Sequence, residues 1–153
     1  MVIEYLKKSE YREALDVVLK SFWALDAKDY SHSGKQSFLG YANLFMFRQR
    51  QRKNHISFCA KIDGSIVGML ELRESRHISM LFVSPEHINS GIGSALINRA
   101  LEQVKVVNST LQYLTVNSSP YAVHFYGKQG FVALDSMQND DGFYYTPMAL
   151  SLT

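Results

Sequence analysis

The stretch that decides the fold reads HISMLFV from His77 to Val83, SPEHINSGIGS from Ser84 to Ser94, and ALINRALEQVKVV from Ala95 to Val107. In the first part Ile78, Met80 and Phe82 alternate with Leu81 and Val83, as side chains on the two faces of a strand do. Pro85 has no N–H to donate and ends that strand. After Gly91 the apolar residues Ile92, Ala95, Leu96, Ala100, Leu101 and Val104 follow helical spacing. The unit is strand, polar loop with two glycines, helix. The first N–H groups of a helix lack internal partners and carry the positive end of its dipole. Gly91 and Gly93 let an anion approach the backbone, so Ile88 to Ser94 is a predicted phosphate or pyrophosphate site. A plain strand-to-helix turn with glycines for packing fits the same pattern. A P-loop is excluded, because no Lys-Ser or Lys-Thr follows the last glycine. A dinucleotide fingerprint is excluded too: Leu96 stands where it needs a third small residue, and Ser84 to Ser90 separates strand from glycine.

Outward from this unit, Val2 to Leu6 reads as a strand. Ser9 offers an N-cap to a helix through Tyr11 to Trp23, with Ala14, Leu15, Val18 and Phe22 on one face. Asp26 to Lys35 is polar and reads as a loop. Phe38, Tyr41, Ala42 and Phe45 space a second helix ending near Arg48. The basic run Arg48, Arg50, Arg52 and Lys53 reads as a solvated helix end, where cations suit the dipole. Ile56 to Ile62, the Asp63-Gly64 turn, Ser65 to Leu72, the turn at Arg73 to Arg76 and His77 to Val83 form an antiparallel meander. Leu111 to Val116 is a strand. Tyr121 to Gln129 is a helix behind Pro120, closed by Gly130. Phe131 to Leu134 and Phe143 to Leu150 form a last hairpin across Asn139 to Gly142. The order β-α-α-β-β-β-α-β-α-β-β gives an α/β fold with a mixed, mainly antiparallel sheet flanked by helices, in a single domain over residues 1–153.

The 153 residues suffice for one core, and 46% hydrophobic with 20% charged residues is the composition of a soluble globular chain. No run approaches the ~20 apolar residues of a membrane span. No signal peptide is visible. A net charge of +2 implies neither nucleic acid nor membrane. One cysteine, Cys59, fits a reducing compartment, and the expected location is cytoplasmic. Cys59 reads as a small buried hydrophobe. No His/Cys cluster has metal spacing, so no metal is expected.

Phe82-Val83-Ser84-Pro85-Glu86 followed by Gly91-Ile92-Gly93-Ser94-Ala95-Leu96 resembles the acetyl-CoA signature of GNAT-type N-acetyltransferases. Leu114-Thr115-Val116-Asn117, then Ala122-Val123-His124-Phe125-Tyr126 and Gly130-Phe131, is similar to that family's later motif. The motifs come in the family's order, and with the element pattern the resemblance covers most of the chain. One departure stands out: Ile88 occupies a place where the family usually has Gln or Arg. The resemblance implies a GNAT-like fold and direct acetyl transfer from acetyl-CoA, as co-substrate, to a primary amine. The acceptor is a small molecule or a peptide, and a homodimer is compatible with the pattern. It implies that Leu81, Phe82 and Val83 meet the pantetheine arm through their backbone. Ile88, Asn89, Ser90, Gly91, Ile92, Gly93 and Ser94 would cradle the pyrophosphate, and Asn117 would bond the arm. Two other functions use the same fold: a CoA-binding regulatory module without catalysis, and a protein-interaction domain.

Acetyl transfer needs an acceptor for the amine proton and a donor near the leaving thiolate. The resemblance implies Tyr126 as the acid. His77 and Glu71 compete as the base, with bulk water as the alternative. A histidine titrates in the right range, whereas a glutamate would need burial to do so. His124 reads as structural. Trp23, Tyr30 and Tyr41 read as core aromatics, with the acceptor site as their alternative.

Overall fold

The computed structural model describes residues 1–153. The strands are β1 (Val2–Tyr5), β2 (His55–Ile62), β3 (Ser65–Arg73), β4 (His77–Val83), β5 (Tyr113–Ser118), β6 (Val132–Ala133), β7 (Gln138–Asp140) and β8 (Phe143–Ser151). The helices are α1 (Tyr11–Ser21), α2 (His32–Tyr41), α3 (Leu44–Gln51), α4 (Ile92–Val107) and α5 (Val123–Lys128). The sheet runs β1-β2-β3-β4-β5-β8-β6, with β7 also on β8. Only β4 and β5 are parallel. The α/β fold with a mainly antiparallel sheet is the one expected. No helix is long and apolar enough to cross a membrane.

Each face of the sheet carries its own core. On one, Leu96, Ile97, Ala100 and Val104 of α4 and Tyr126 of α5 pack on Leu70, Leu72 and Ile78. On the other, Leu15 and Val18 of α1, Phe38 of α2 and Phe47 of α3 pack on Met69 and Met80. The even alternation expected along β4 fails at one place. Glu71 pairs with Met80 and Leu72 with Ile78, so Ser79 is an extra residue, a β-bulge. Ile78 therefore faces α4, while Met80 and Phe82 face the other helices.

The first helices differ from their expected form. Ser9 lies within a short 3-10 turn (Lys8–Glu10), and the Glu10 carboxylate, not Ser9, caps the start by accepting from the Lys7 N–H at 3.0 Å. Beyond α1 a π-helical turn covers Phe22–Asp26, and a 3-10 turn follows at Ala27–Asp29. The second helix is two helices. Asn43 breaks the run and caps α3, its side chain accepting from Met46 N at 2.8 Å. Ser31 caps α2 through Gly34 N at 3.1 Å. Gly34 is required there, because a Cβ would lie 2.1 Å from the Gly142 carbonyl oxygen. That contact presses the start of α2 onto the β7–β8 turn.

The last hairpin is also more divided than expected. β6 and β7 pair with β8 separately, at Ala149 and Met148 and at Tyr145 to Phe143. Pro147 falls between them, opposite Asn117 of β5; its carbonyl accepts from the Leu134 N–H at 2.8 Å, so its missing N–H faces away from β5 and the β5–β8 pairing continues through it.

Candidate active site

β4 and β5 are paired only at His77–Thr115 and Ile78–Val116. Beyond that point they part, and a cavity of about 580 Å³ opens between them. Its walls come from both faces of the sheet: Phe22, Asp26, Tyr30 and Phe38 on one side, Ile92, Gly93, Phe125 and Tyr126 on the other. The cavity therefore passes through the sheet at the parting.

The backbone of β4 edges this gap. Ser84 N–H bonds Val67 O across β3 at 2.8 Å. By alternation the amides of Phe82 and Met80 also point to β3, and those of Leu81 and Val83 point into the gap. Of the three residues expected to present their backbone, Leu81 and Val83 thus offer free groups, and Phe82 does not. At the loop, Gly91 caps α4 with φ +85°, a left-handed conformation that favours glycine, and its Cβ position is open. Gly93 has another reason. A Cβ there would stand 2.8 Å from the Phe125 ring, so this glycine serves the packing of α4 on α5. Ile88, Asn89, Gly91, Ile92, Gly93, Ser94 and Asn117 line the cavity. Ser90 does not; its hydroxyl turns back to the His87 carbonyl. His87 lines it too, with Nδ1 buried and unpartnered. His124 is also among the lining residues.

Tyr126 is buried and lines the cavity. Burial, and secondarily the Asp26 charge, raises its phenol above the ordinary value, so the hydroxyl keeps its proton. Glu71 and His77 do not line the cavity. Glu71 is fully buried, and its carboxylate accepts from Arg50 Nε at 2.9 Å, Gln51 Nε2 at 2.7 Å, Ser79 Oγ at 2.9 Å and Tyr41 OH at 3.4 Å. A carboxylate so fully engaged anchors the bulge to α3 and has no free lone pair for an amine proton. Arg50 is thereby an internal cation stacked 3.6 Å from the Tyr41 ring centre, not part of a solvated helix end. His77 sits at the closed end of the β4–β5 pairing, 2.8 Å from Thr115 Oγ1. Burial, then Arg73 and His55, lowers its pKa to about 4. That is too low for a base at neutral pH.

Two residues absent from the expected set fill the opposite wall. Asp26, only 6% exposed, ends the π-helical turn, and its Oδ1 accepts from Ser119 Oγ at 3.0 Å. Burial lifts its carboxyl to about 6; the Ser119 bond opposes this and Asp29 adds to it. Of the three aromatics considered, Tyr30 lines the cavity, Tyr41 lies under Arg50, and Trp23 is exposed. Cys59 is buried, as expected. It lies with Glu4 and Glu10 in a cluster that ligand spacing in the sequence did not show, and the Lys61 ammonium bridges both carboxylates there.

The arrangement offers an unpaired strand edge along β4, open helix amides at the start of α4 and a buried carboxylate among aromatic rings on the opposite wall. The Acetyltransferase (GNAT) domain pattern matches residues 26–152. Peptidyl-lysine N-acetyltransferase YiaC of Escherichia coli is 29% identical over 79 residues, 52% of this chain and 51% of that protein. The match thus spans about half the length of that relative. An uncharacterized N-acetyltransferase of Archaeoglobus fulgidus is 28% identical over 140 residues, covering 84% and 91% of the two chains. A GCN5-related N-acetyltransferase from Rhodopseudomonas palustris superposes with a TM-score of 0.84 at 26% identity, over 99% and 95% of the chains. The PaiA N-acetyltransferase of Thermoplasma acidophilum, solved in complex with coenzyme A, shares the fold at a TM-score of 0.77 and 19% identity, over 99% of each. The chain belongs to the GNAT acetyltransferase family.

Proposed function

We propose that this protein transfers the acetyl group of acetyl-CoA directly to the nitrogen of a primary amine. One observation carries the reading: β4 and β5 part over a cavity bounded by a helix N-terminus and a proton-bearing tyrosine. The residues fit the co-substrate. Leu81 and Val83 offer an unpaired backbone edge to an amide-rich arm, as an added strand would use it. Gly91, in its left-handed conformation, leaves the approach to the first α4 amides open to phosphate. Ile88 supplies no polar group, so the phosphate contacts are mainly backbone. His87 Nδ1 adds one unpartnered polar atom to the same wall.

Acetyl-CoA supplies an acyl group activated as a thioester. Tyr126 donates a hydrogen bond to the sulfur as negative charge builds there. With its pKa raised, the phenol acts as a held donor and is a poor source of a free proton.

A melting experiment with acetyl-CoA, followed by a thiol-release assay over an amine panel, tests this. Ligand at ~100 times its dissociation constant adds about 2.7 kcal/mol, several degrees for a chain of this size. Tyr126→Phe should lower kcat by ~10²–10³ with acetyl-CoA affinity unchanged. No melting shift overturns the reading. A shift without thiol release, from any amine, leaves a binding module instead.

A further inference from the structure

The cavity carries its acceptor-side chemistry in one residue. Asp26 is the only Asp or Glu among the lining residues. Its surroundings are aromatic. Phe22 stacks on Phe38 at 4.2 Å and on Tyr30 at 5.7 Å, and Tyr30 stacks on Phe143 at 4.8 Å. Phe38 then meets Phe82 at 5.5 Å, which carries the aromatic wall to the strand that edges the gap. Asp26 has a hydroxyl partner, Ser119, but no ion pair. A buried carboxylate without a countercharge is costly, and an ammonium completes it. Aromatic faces also attract an ammonium.

We propose that Asp26 is a catalytic residue that binds the acceptor's ammonium and takes its proton, and that the acceptor is a monocationic primary amine on an apolar or aromatic body. This rests on the acetyltransferase reading. A polyamine or an aminoglycoside would bring several cations to a site with one carboxylate, and each unpaired cation would lose its water. The proton balance is simple. R–NH₃⁺ gives one proton to Asp26; the N–C bond forms as the C–S bond breaks; the second proton leaves nitrogen and ends on sulfur. The products are the amide and the thiol, and Asp26 returns its proton to solvent. The groups that face Asp26 are Asp29 and Tyr30 on its own segment, Ser119 from the end of β5, and Tyr126 from α5. The lifted carboxyl pKa of about 6 brings the base closer to that of the proton it must accept.

The test is a calorimetric titration of the CoA-saturated protein with 2-phenylethylamine, 2-phenylethanol and spermidine, then thiol release with the two amines. The aromatic monoamine should bind roughly ten-fold or more tighter than the alcohol of the same shape, the gain of a charge-assisted contact, and tighter than spermidine. Asp26→Asn should erase the preference and lower thiol release by ~10²–10⁴. It should also remove an acidic limb in which the rate rises through about pH 6, without changing acetyl-CoA affinity. Asp26→Glu should restore part of the rate. Equal binding of amine and alcohol, preference for spermidine, or an Asp26→Asn variant with parental rate and pH profile would each overturn the inference alone. Asp26-dependent amine binding with no thiol release from the unaltered protein would overturn the proton-acceptor role together with the transfer reading.

Discussion

Asp26 holds a carboxylate where the fold disfavours its charge, and the cost has a direction in pH. Its folded pKa, about 6, lies above the ordinary value near 4. A raised folded pKa means that the stability present below pH 4 is lost as pH rises through about 6. At 1.36 kcal/mol per unit the loss is on the order of 3 kcal/mol at pH 7. Asp26→Asn should therefore melt higher than the parent at pH 7 to 8, and the gap should close as pH falls from 6 to 4. A variant that melts lower at pH 8 would refute this. Asp26 was not legible in the sequence. It sits in a polar stretch that reads as a loop, and the Ser119 that engages it is 93 positions away. Tyr126 was legible because its neighbours, Phe125 and Gly130-Phe131, form a motif. Glu71 and His77 have the right chemistry for a base, but one is spent in hydrogen bonds and the other is sealed at the closed end of the gap.

At the scale of elements, the bulge at Ser79 falls where the β4–β5 pairing ends, and Glu71 ties that bulge to α3 through Arg50 and Gln51. Removing one partner of a buried pair leaves the other charge uncompensated. Arg50→Ala should lower the unfolding free energy in urea by about 3–5 kcal/mol. A loss below ~1 kcal/mol would place the pair with weak surface bridges. The bulge could not be read from apolar alternation, because Ile78, Met80 and Phe82 keep their spacing while the backbone gains one residue. The α2–α3 break was hidden for a related reason. Phe38, Tyr41, Ala42 and Phe45 keep helical spacing across the break, yet Phe45 is exposed, and Phe47 enters the core from the separate helix instead. Asn43, a good N-cap, was the one local sign of the break.

For the whole molecule, the order of elements along the chain, the β2-β3-β4 meander and the glycine loop followed from hydrophobic period and turn chemistry, signals that lie within short windows. The depth of the cavity did not, because it depends on how far two strands diverge once their pairing stops. That divergence has a consequence for amide exchange. Met80 and Phe82 bond toward β3 and should be slow to take up deuterium at all times. Leu81 and Val83 face the gap, and their amides should exchange quickly in the free protein. Acetyl-CoA laid along β4 would stand in for the absent neighbour strand. Protection should then appear at Leu81 and Val83 alone, turning an every-other-residue pattern into a continuous one. Unchanged uptake at both residues under saturating acetyl-CoA would mean that the arm does not run along this strand.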